Sequence, residues 1–228
     1  MRVDAILPLF PLNTVLVPGL VLPLHIFEPR YRMLVQELLV IEDEDAREFG
    51  IVAVKDGHSV ERDGIDALHR SGTATILRQA DRTLDGRYDI VTTGSRRFFI
   101  ESLDSSAQLL RAQVSWVEDI VEPHTAELET LTNRAVADFV SYRSALSGQL
   151  DETVAAVSEL PEDPGVVSFL LTAAVVLPTA ERQQLLSAMS AHERLTLARS
   201  FLKRETALID SLHSIPAIDL FSTQPSPN

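Results

Sequence analysis

Hydrophobic positions in the first half of the chain fall in short runs of strand length. Ala5–Phe10 (AILPLF) and Leu20–Phe27 (LVLPLHIF) are two such runs, separated by the turn residues Asn13, Pro18 and Gly19. Their prolines point to strand starts or sheet edges, because proline cannot donate to a ladder. After Pro29 the period changes: Tyr31, Leu34, Val35, Leu38 and Leu39 recur at helical spacing, which predicts a helix to about Ile41. An acidic loop, EDEDARE, ends it. From Phe49 the strand pattern returns in FGIVAVK, TATILRQA, RYDIVTTG, RRFFIES and AQLLRAQVSWV. Asp56-Gly57 reads as a tight turn, and Asp85-Gly86 and Gly94-Ser95 read as hairpin connections. About seven short strands with one inserted helix predict a compact barrel or rolled sheet.

Beyond Pro123 the period changes to a helical one, interrupted by the connection SGQLDETVAAVSELPEDP, whose local structure the pattern leaves open. Leu128, Leu131, Ala135, Phe139, Tyr142 and Leu146 form one stripe of a helix of about six turns. Asp163-Pro164 reads as an N-cap followed by proline at the first helical position. The helix it opens, GVVSFLLTAAVV, is apolar on nearly every side, so it is expected at the centre of a bundle. Pro178 separates it from TAERQQLLSAM. Ser190 and Glu193 are spaced as a capping box at the head of a last helix bearing Leu195, Ala198, Leu202, Ile209 and Leu212. The pattern divides the chain into a β-rich part, residues 1–118, a helical part, 119–214, and a tail, 215–228, whose composition predicts disorder.

Composition narrows the function. The 228 residues include no cysteine, which excludes disulfides, thiolate nucleophiles and cysteine metal sites and fits a reducing cytoplasm. The net charge is -13, spread over both parts: 13 basic against 18 acidic residues up to Glu118, and 7 against 15 after it. Neither part offers the basic face that nucleic acid or an anionic membrane requires. Pro8, Pro11, Pro18 and Pro23 break the apolar N-terminal region, so it is neither a secretory leader nor a membrane span.

Known catalytic patterns are missing. The two lysines, Lys55 and Lys203, lie in no G-x-x-x-x-G-K-[ST] loop, and there is no G-x-S-x-G or H-E-x-x-H. The six histidines are scattered, and a zinc site from His58, His69 and a nearby Asp is disfavoured. No metal, cofactor or catalytic residue is expected. The densest cluster of functional side chains is LPLHIFEPRYRMLV, with His25, Phe27, Glu28, Arg30, Tyr31 and Arg32 close together. It has a structural reading, in which Glu28-Pro29 starts a helix, Tyr31 packs inward and the arginines pair with acidic neighbours. It also has a binding reading, in which Phe27 and Tyr31 anchor an extended apolar peptide and the arginines meet carboxylates. In GSRRFF, strand alternation places Arg96 and Arg97 on opposite faces.

The string LPLFPLNTVLVPGLVLPLHIFEPRYRMLV resembles the opening of the Lon protease N-terminal (substrate-binding) domain, especially its stand-alone bacterial forms. So do FGIVAV after an acidic loop, SGTATI, DGRYDIVTTGSRRFFI and, less specifically, DPGVVSFLLTAAVVLPTAERQQLL. The resemblance covers Leu7 to Leu212. It implies an α+β fold: a PUA-like pseudo-barrel with an inserted helix, then a helical bundle. It also implies a binding module for unfolded polypeptide or partner proteins, without the ATPase and peptidase of full-length Lon. VKDGHSV faintly imitates the motif around the serine of that peptidase, but no second lysine follows before Lys203 to act as base. The expected function is therefore non-enzymatic polypeptide recognition in the cytoplasm, as an adaptor in proteolysis or quality control. The competing expectation is a PUA-like regulator that binds a small molecule or nucleotide.

Overall fold

The computed structural model describes residues 3–106, 108–147 and 160–213. The expected tail, and most of the connection after Leu146, lie outside the described residues. The first half forms six strands: β1 (Ala5–Leu12), β2 (Val21–Ile26), β3 (Glu48–Val54), β4 (Leu68–Arg82), β5 (Tyr88–Asp104) and β6 (Arg111–Val117). Helix α1 (Pro29–Leu39) follows β2, and the short α2 (Val60–Asp63) lies between β3 and β4. The sheet order is β2-β5-β4-β3-β1-β6, and a further β5–β6 pairing closes five strands into a barrel. Among the described strands only β1 and β3 pair in parallel. The second half forms α3 (Ala126–Ser147), α4 (Pro164–Ala174), α5 (Thr179–Ser187) and α6 (Ala191–His213). The architecture is thus α+β, a pseudo-barrel followed by helices, as expected.

One expectation needs correction. RYDIVTTG and RRFFIES are not two strands joined by a turn at Gly94-Ser95; they are one continuous strand of 17 residues, β5. Its first part pairs with β2 and its last part with β6, so the partner on that edge changes near Gly94. The glycine serves close approach instead of a turn. Its N–H donates to the Leu20 carbonyl (2.9 Å) and its carbonyl accepts from the Gly19 N–H (2.8 Å). A Cβ there would stand 2.5 Å from the Val17 carbonyl oxygen. Gly94 thereby fixes the 17–20 loop against the barrel. Asp85-Gly86 does connect β4 to β5, with Gly86 at φ +80°.

The barrel interior is packed by Leu7, Leu9, Val52, Ala74, Phe98 and Val114. Gly50 and Gly72 make room for the Phe98 ring, since a Cβ on either would overlap it. Helix α1 covers a second cluster, in which Tyr31, Leu34, Val35 and Leu38 meet Phe10, Phe49 and Ile90. The prolines of β1 are tolerated because residues 5–8 pair with β6 and residues 9–12 with β3. Each half therefore carries one ladder and not two. β2, which holds Pro23, is an edge strand.

In the helical half, α3 presents Leu128, Ala135 and Tyr142 to Val167, Leu171, Leu195, Ala198 and Leu202. Asp163 caps α4 as expected, its Oδ1 accepting from the Val166 N–H (2.9 Å). At the head of α6, Ser190 Oγ accepts from the Glu193 N–H, while the Glu193 carboxylate reaches the N–H of Met189. The capping box is therefore offset by one residue on its return bond. Helix α4 corrects a second expectation. It is not enclosed on every side: Val166 and Leu170 are 46% and 41% exposed.

Candidate functional site

The six residues of the strand-to-helix junction separate into buried, paired and exposed groups. Tyr31 is 6% exposed, its ring 4.0 Å from that of Phe10. It is a core residue and no surface anchor. Glu28 stands at the N-cap of α1 without capping it; its Oε2 accepts from Arg30 Nε at 2.8 Å. The Arg30 guanidinium also lies 4.8 Å from the Tyr31 ring centre. Arg32 reaches across to the Gly86 carbonyl of the β4–β5 turn. His25 Nδ1 lies 2.6 Å from Asp89 Oδ1 on the neighbouring strand. Phe27 is 60% exposed, and its ring stacks toward that of His25 at 6.4 Å. Of the six, Phe27 and His25 face outward as a pair.

These two stand at one end of an outward-facing row. Along β2 the exposed side chains are Val21, Pro23 and His25, with Leu22, Leu24 and Ile26 turned inward. At a rise of about 3.3 Å per residue, the row from Val21 to Phe27 runs about 20 Å. Its other end meets a groove of about 420 Å³ between the 17–20 loop and helix α4. Pro18 and Leu20 form one wall; Val166, Phe169, Leu170 and Ala173 form the other. Asp163, at the mouth, contributes the one charged side chain of the lining.

The groove walls belong to different halves of the molecule, so its width depends on what joins them. Val15, Val17, Ala53 and Leu186 form a small apolar cluster there, with Leu20, Phe169 and Ala173 against it. Beside it lies a buried ionic node. Arg97 of β5 donates to the carbonyls of Leu186 and Ala188 (2.7 and 2.6 Å) and pairs with Asp119. Arg194 of α6, wholly buried, donates to both Asp119 oxygens, to the carbonyls of Leu185 and Ala188, and to Ser168 Oγ. Its guanidinium lies 3.8 Å from the centre of the Phe169 ring, which lines the groove. Burial pushes the Arg97 guanidinium below its ordinary range, and Asp119 acts against that shift. Arg96, on the opposite face as alternation requires, stacks on Trp116 and pairs with Glu48.

Residues 6–204 match the family model described as the ATP-dependent protease La (LON) substrate-binding domain. The chain belongs to the Lon substrate-binding domain family. Among relatives, it is 25% identical over 211 residues to Lon protease 2 of Myxococcus xanthus, a match covering 91% of the chain and 24% of that protein. It is 29% identical over 210 residues to the Lon protease of Roseiflexus castenholzii, covering 91% and 25% respectively. The chain thus spans about a quarter of the length of these curated relatives. Two solved structures share the fold. One is a Lon N-terminal domain protein from Xanthomonas campestris, with TM-score 0.62 and 24% identity over 86% of this chain and 98% of that one. The other is the N-terminal domain of Mycobacterium avium complex Lon protease, with TM-score 0.65 and 20% identity over 87% and 98%.

The sequence singles out His25 and Phe27, which are exposed, and does not mark the groove. A helix apolar on every side reads as fully enclosed, and nothing local marks which side meets solvent. The signal that was present is the pair of apolar residues Val166 and Leu170, one turn apart, opposite a Pro-Gly loop. Among the described residues no group of three or more His, Asp or Glu side chains is placed to hold a metal ion, and no helix is long and apolar enough to cross a membrane.

Proposed function

We propose that this chain is a non-enzymatic module that binds extended apolar polypeptide segments in the cytoplasm. In this reading the segment's apolar side chains enter the groove between Pro18–Leu20 and α4. The rest of the segment follows the outward row of β2 to His25 and Phe27. The observation that carries it is the exposure of Val166 and Leu170 on a groove with one charged wall residue, in a family whose model is named for substrate binding. An exposed apolar surface costs solubility and marks an interaction site when it is contiguous. β2 is an edge strand, but Pro23 interrupts its donors, so side-chain burial contributes more than strand addition. Glu28, Arg30 and Arg32 shape the junction and stay with their local partners. The role assigned is that of an adaptor presenting unfolded segments in proteolysis or quality control.

The test is fluorescence anisotropy with labelled, reduced and carboxymethylated lactalbumin, which stays unfolded. Saturable binding is expected, weakened at least tenfold in Leu170→Asp and in Val166→Asp, and less in Phe27→Ser. Absence of binding by the unaltered protein, or equal affinity in both groove variants, would refute the assignment.

A further inference from the structure

A second cavity, of about 320 Å³, opens on the barrel away from the peptide groove, sharing no residue with it. It is bounded by Lys55, the turn at Ile65 and Asp66, the start of β4 and the end of β5. Two interruptions of the sheet converge there. Between the pairs Val52–Gly72 and Val54–Leu68, β3 advances by two residues and β4 by four, so β4 carries a bulge containing His69 and Arg70. Between Ile100–Val114 and Ser102–Gln113, β5 advances by two residues and β6 by one, so Glu101 is an extra residue on β5. Bulges re-aim side chains and recur beside binding sites, because a regular ladder would send these residues to alternate faces. Here both bulges deliver polar residues to one cavity.

The chemistry of the lining is mixed. Leu68, Ile100 and Leu103 supply an apolar floor. Lys55 Nζ donates to the Asp66 carbonyl and Arg70 to the Ile100 carbonyl, and neither has an ion-pair partner among the described residues. Glu101 Oε1 accepts from Ser115 Oγ at 2.7 Å, which fixes the carboxylate. Its Oε2, and Nε2 of His69, are closed off from solvent without a hydrogen-bond partner. A buried polar atom left in this way is costly, so these two mark a polar lining that the fold does not satisfy by itself. Burial and then the charge of Lys55 hold the His69 imidazole below its ordinary range, against the opposing charge of Asp56.

We propose that this cavity binds a small zwitterion with an apolar body, the class of free aliphatic α-amino acids. Its carboxylate faces Lys55 and Arg70, its ammonium faces Glu101, and its side chain lies on the Leu68–Leu103 floor. The volume lies at the lower end of small-molecule sites. The site stands apart from the peptide groove and does not rest on polypeptide binding.

The test is an amide NMR titration of the full chain with four probes: free leucine, N-acetyl-leucine, leucinamide and inorganic phosphate. Leucine is expected to give saturable shifts at residues 68–70 and 101–103, with each singly charged analogue at least tenfold weaker. Glu101→Gln and Arg70→Gln should each raise the leucine dissociation constant at least tenfold while leaving the remaining amide spectrum in place. If either variant unfolds, the comparison of the four probes on the unaltered protein decides. No leucine-dependent shift at millimolar concentration would overturn the proposal. So would phosphate reproducing the shifts with equal affinity, which reduces the site to an anion patch, or unchanged leucine binding in both variants.

Discussion

Asp119→Ala tests whether the ionic node is what holds the helices to the barrel. Among the described residues Asp119 is the one carboxylate that pairs with both Arg97 and Arg194, whose side chains are 4% and 0% exposed. Removing it leaves two buried guanidinium groups facing each other with no direct ion-pair partner among the described residues and only the weaker influence of Glu193. Their carbonyl acceptors on Leu185, Leu186 and Ala188 remain. Breaking a buried ion pair by deleting one partner costs about 3–5 kcal/mol. Asp119 keeps about a quarter of its side-chain surface (28%), which favours the lower end, about 3 kcal/mol. In a chain of this size that corresponds to a fall of about 6–12 °C in Tm. Arg97→Met is expected to cost less, about 1–2 kcal/mol. It removes a desolvated cation, leaves Asp119 paired with Arg194, and orphans the Leu186 carbonyl alone, since Ala188 retains Arg194. The assay is urea unfolding followed by two signals: fluorescence of the single tryptophan, Trp116 of β6, for the barrel, and circular dichroism at the helix band for the bundle. The Asp119→Ala transitions should separate, with the helical signal lost first, because the severed contact lies between the halves. A loss below 1 kcal/mol, or a greater loss in Arg97→Met than in Asp119→Ala, would refute the assignment of Asp119 as the shared counter-ion.

Gly94→Ala should destabilise the fold by about 2 kcal/mol or more, measured by the same unfolding, because its Cβ meets the Val17 carbonyl at 2.5 Å. It should also weaken binding of unfolded lactalbumin, since that loop forms a groove wall. Tyr31→Ala should cost about 3–5 kcal/mol as a core aromatic, whereas Phe27→Ser should change stability by no more than about 0.5 kcal/mol; similar losses in the two variants would contradict their placement. His69 has a folded-state pKa below its ordinary value of 6.5, so the unfolded chain takes up the proton first. Its contribution is full above 6.5 and declines as pH falls below it, and His69→Gln should flatten the stability profile below pH 6.5. Glu181 is held below its ordinary value of 4.5 by hydrogen bonds from Arg204. Its contribution is present above 4.5 and lost as pH falls through the lowered value, so Glu181→Gln should reduce the acid sensitivity seen below pH 4.5.

Much of this molecule is legible in the order of its residues. The switch from period two to period 3.6 after Pro123 marks barrel and bundle, since each period puts apolar side chains on one face of its own element. Local signals with local causes also hold. Asp163 caps α4, Pro29 stands at the first position of α1, Asp85-Gly86 turns the β4–β5 hairpin, and Arg96 and Arg97 point to opposite faces. Burial of Tyr31 follows from the helical stripe it shares with Leu34, Val35 and Leu38.

What the sequence could not decide depends on partners distant along the chain. Gly94 reads as a turn until the 17–20 loop is seen packed on it; only then is a missing side chain a matter of space and not of backbone freedom. Arg97, Asp119 and Arg194 lie up to 97 positions apart and become one charge cluster only when the bundle folds onto the barrel. The bulges that gather His69, Arg70 and Glu101 arise from register, which a single strand does not carry. Apolar periodicity specified that α4 would be covered. Which of its sides stays open, leaving Val166 and Leu170 across from Pro18, was decided by how two cores dock, because burial is a property of the neighbour as much as of the residue.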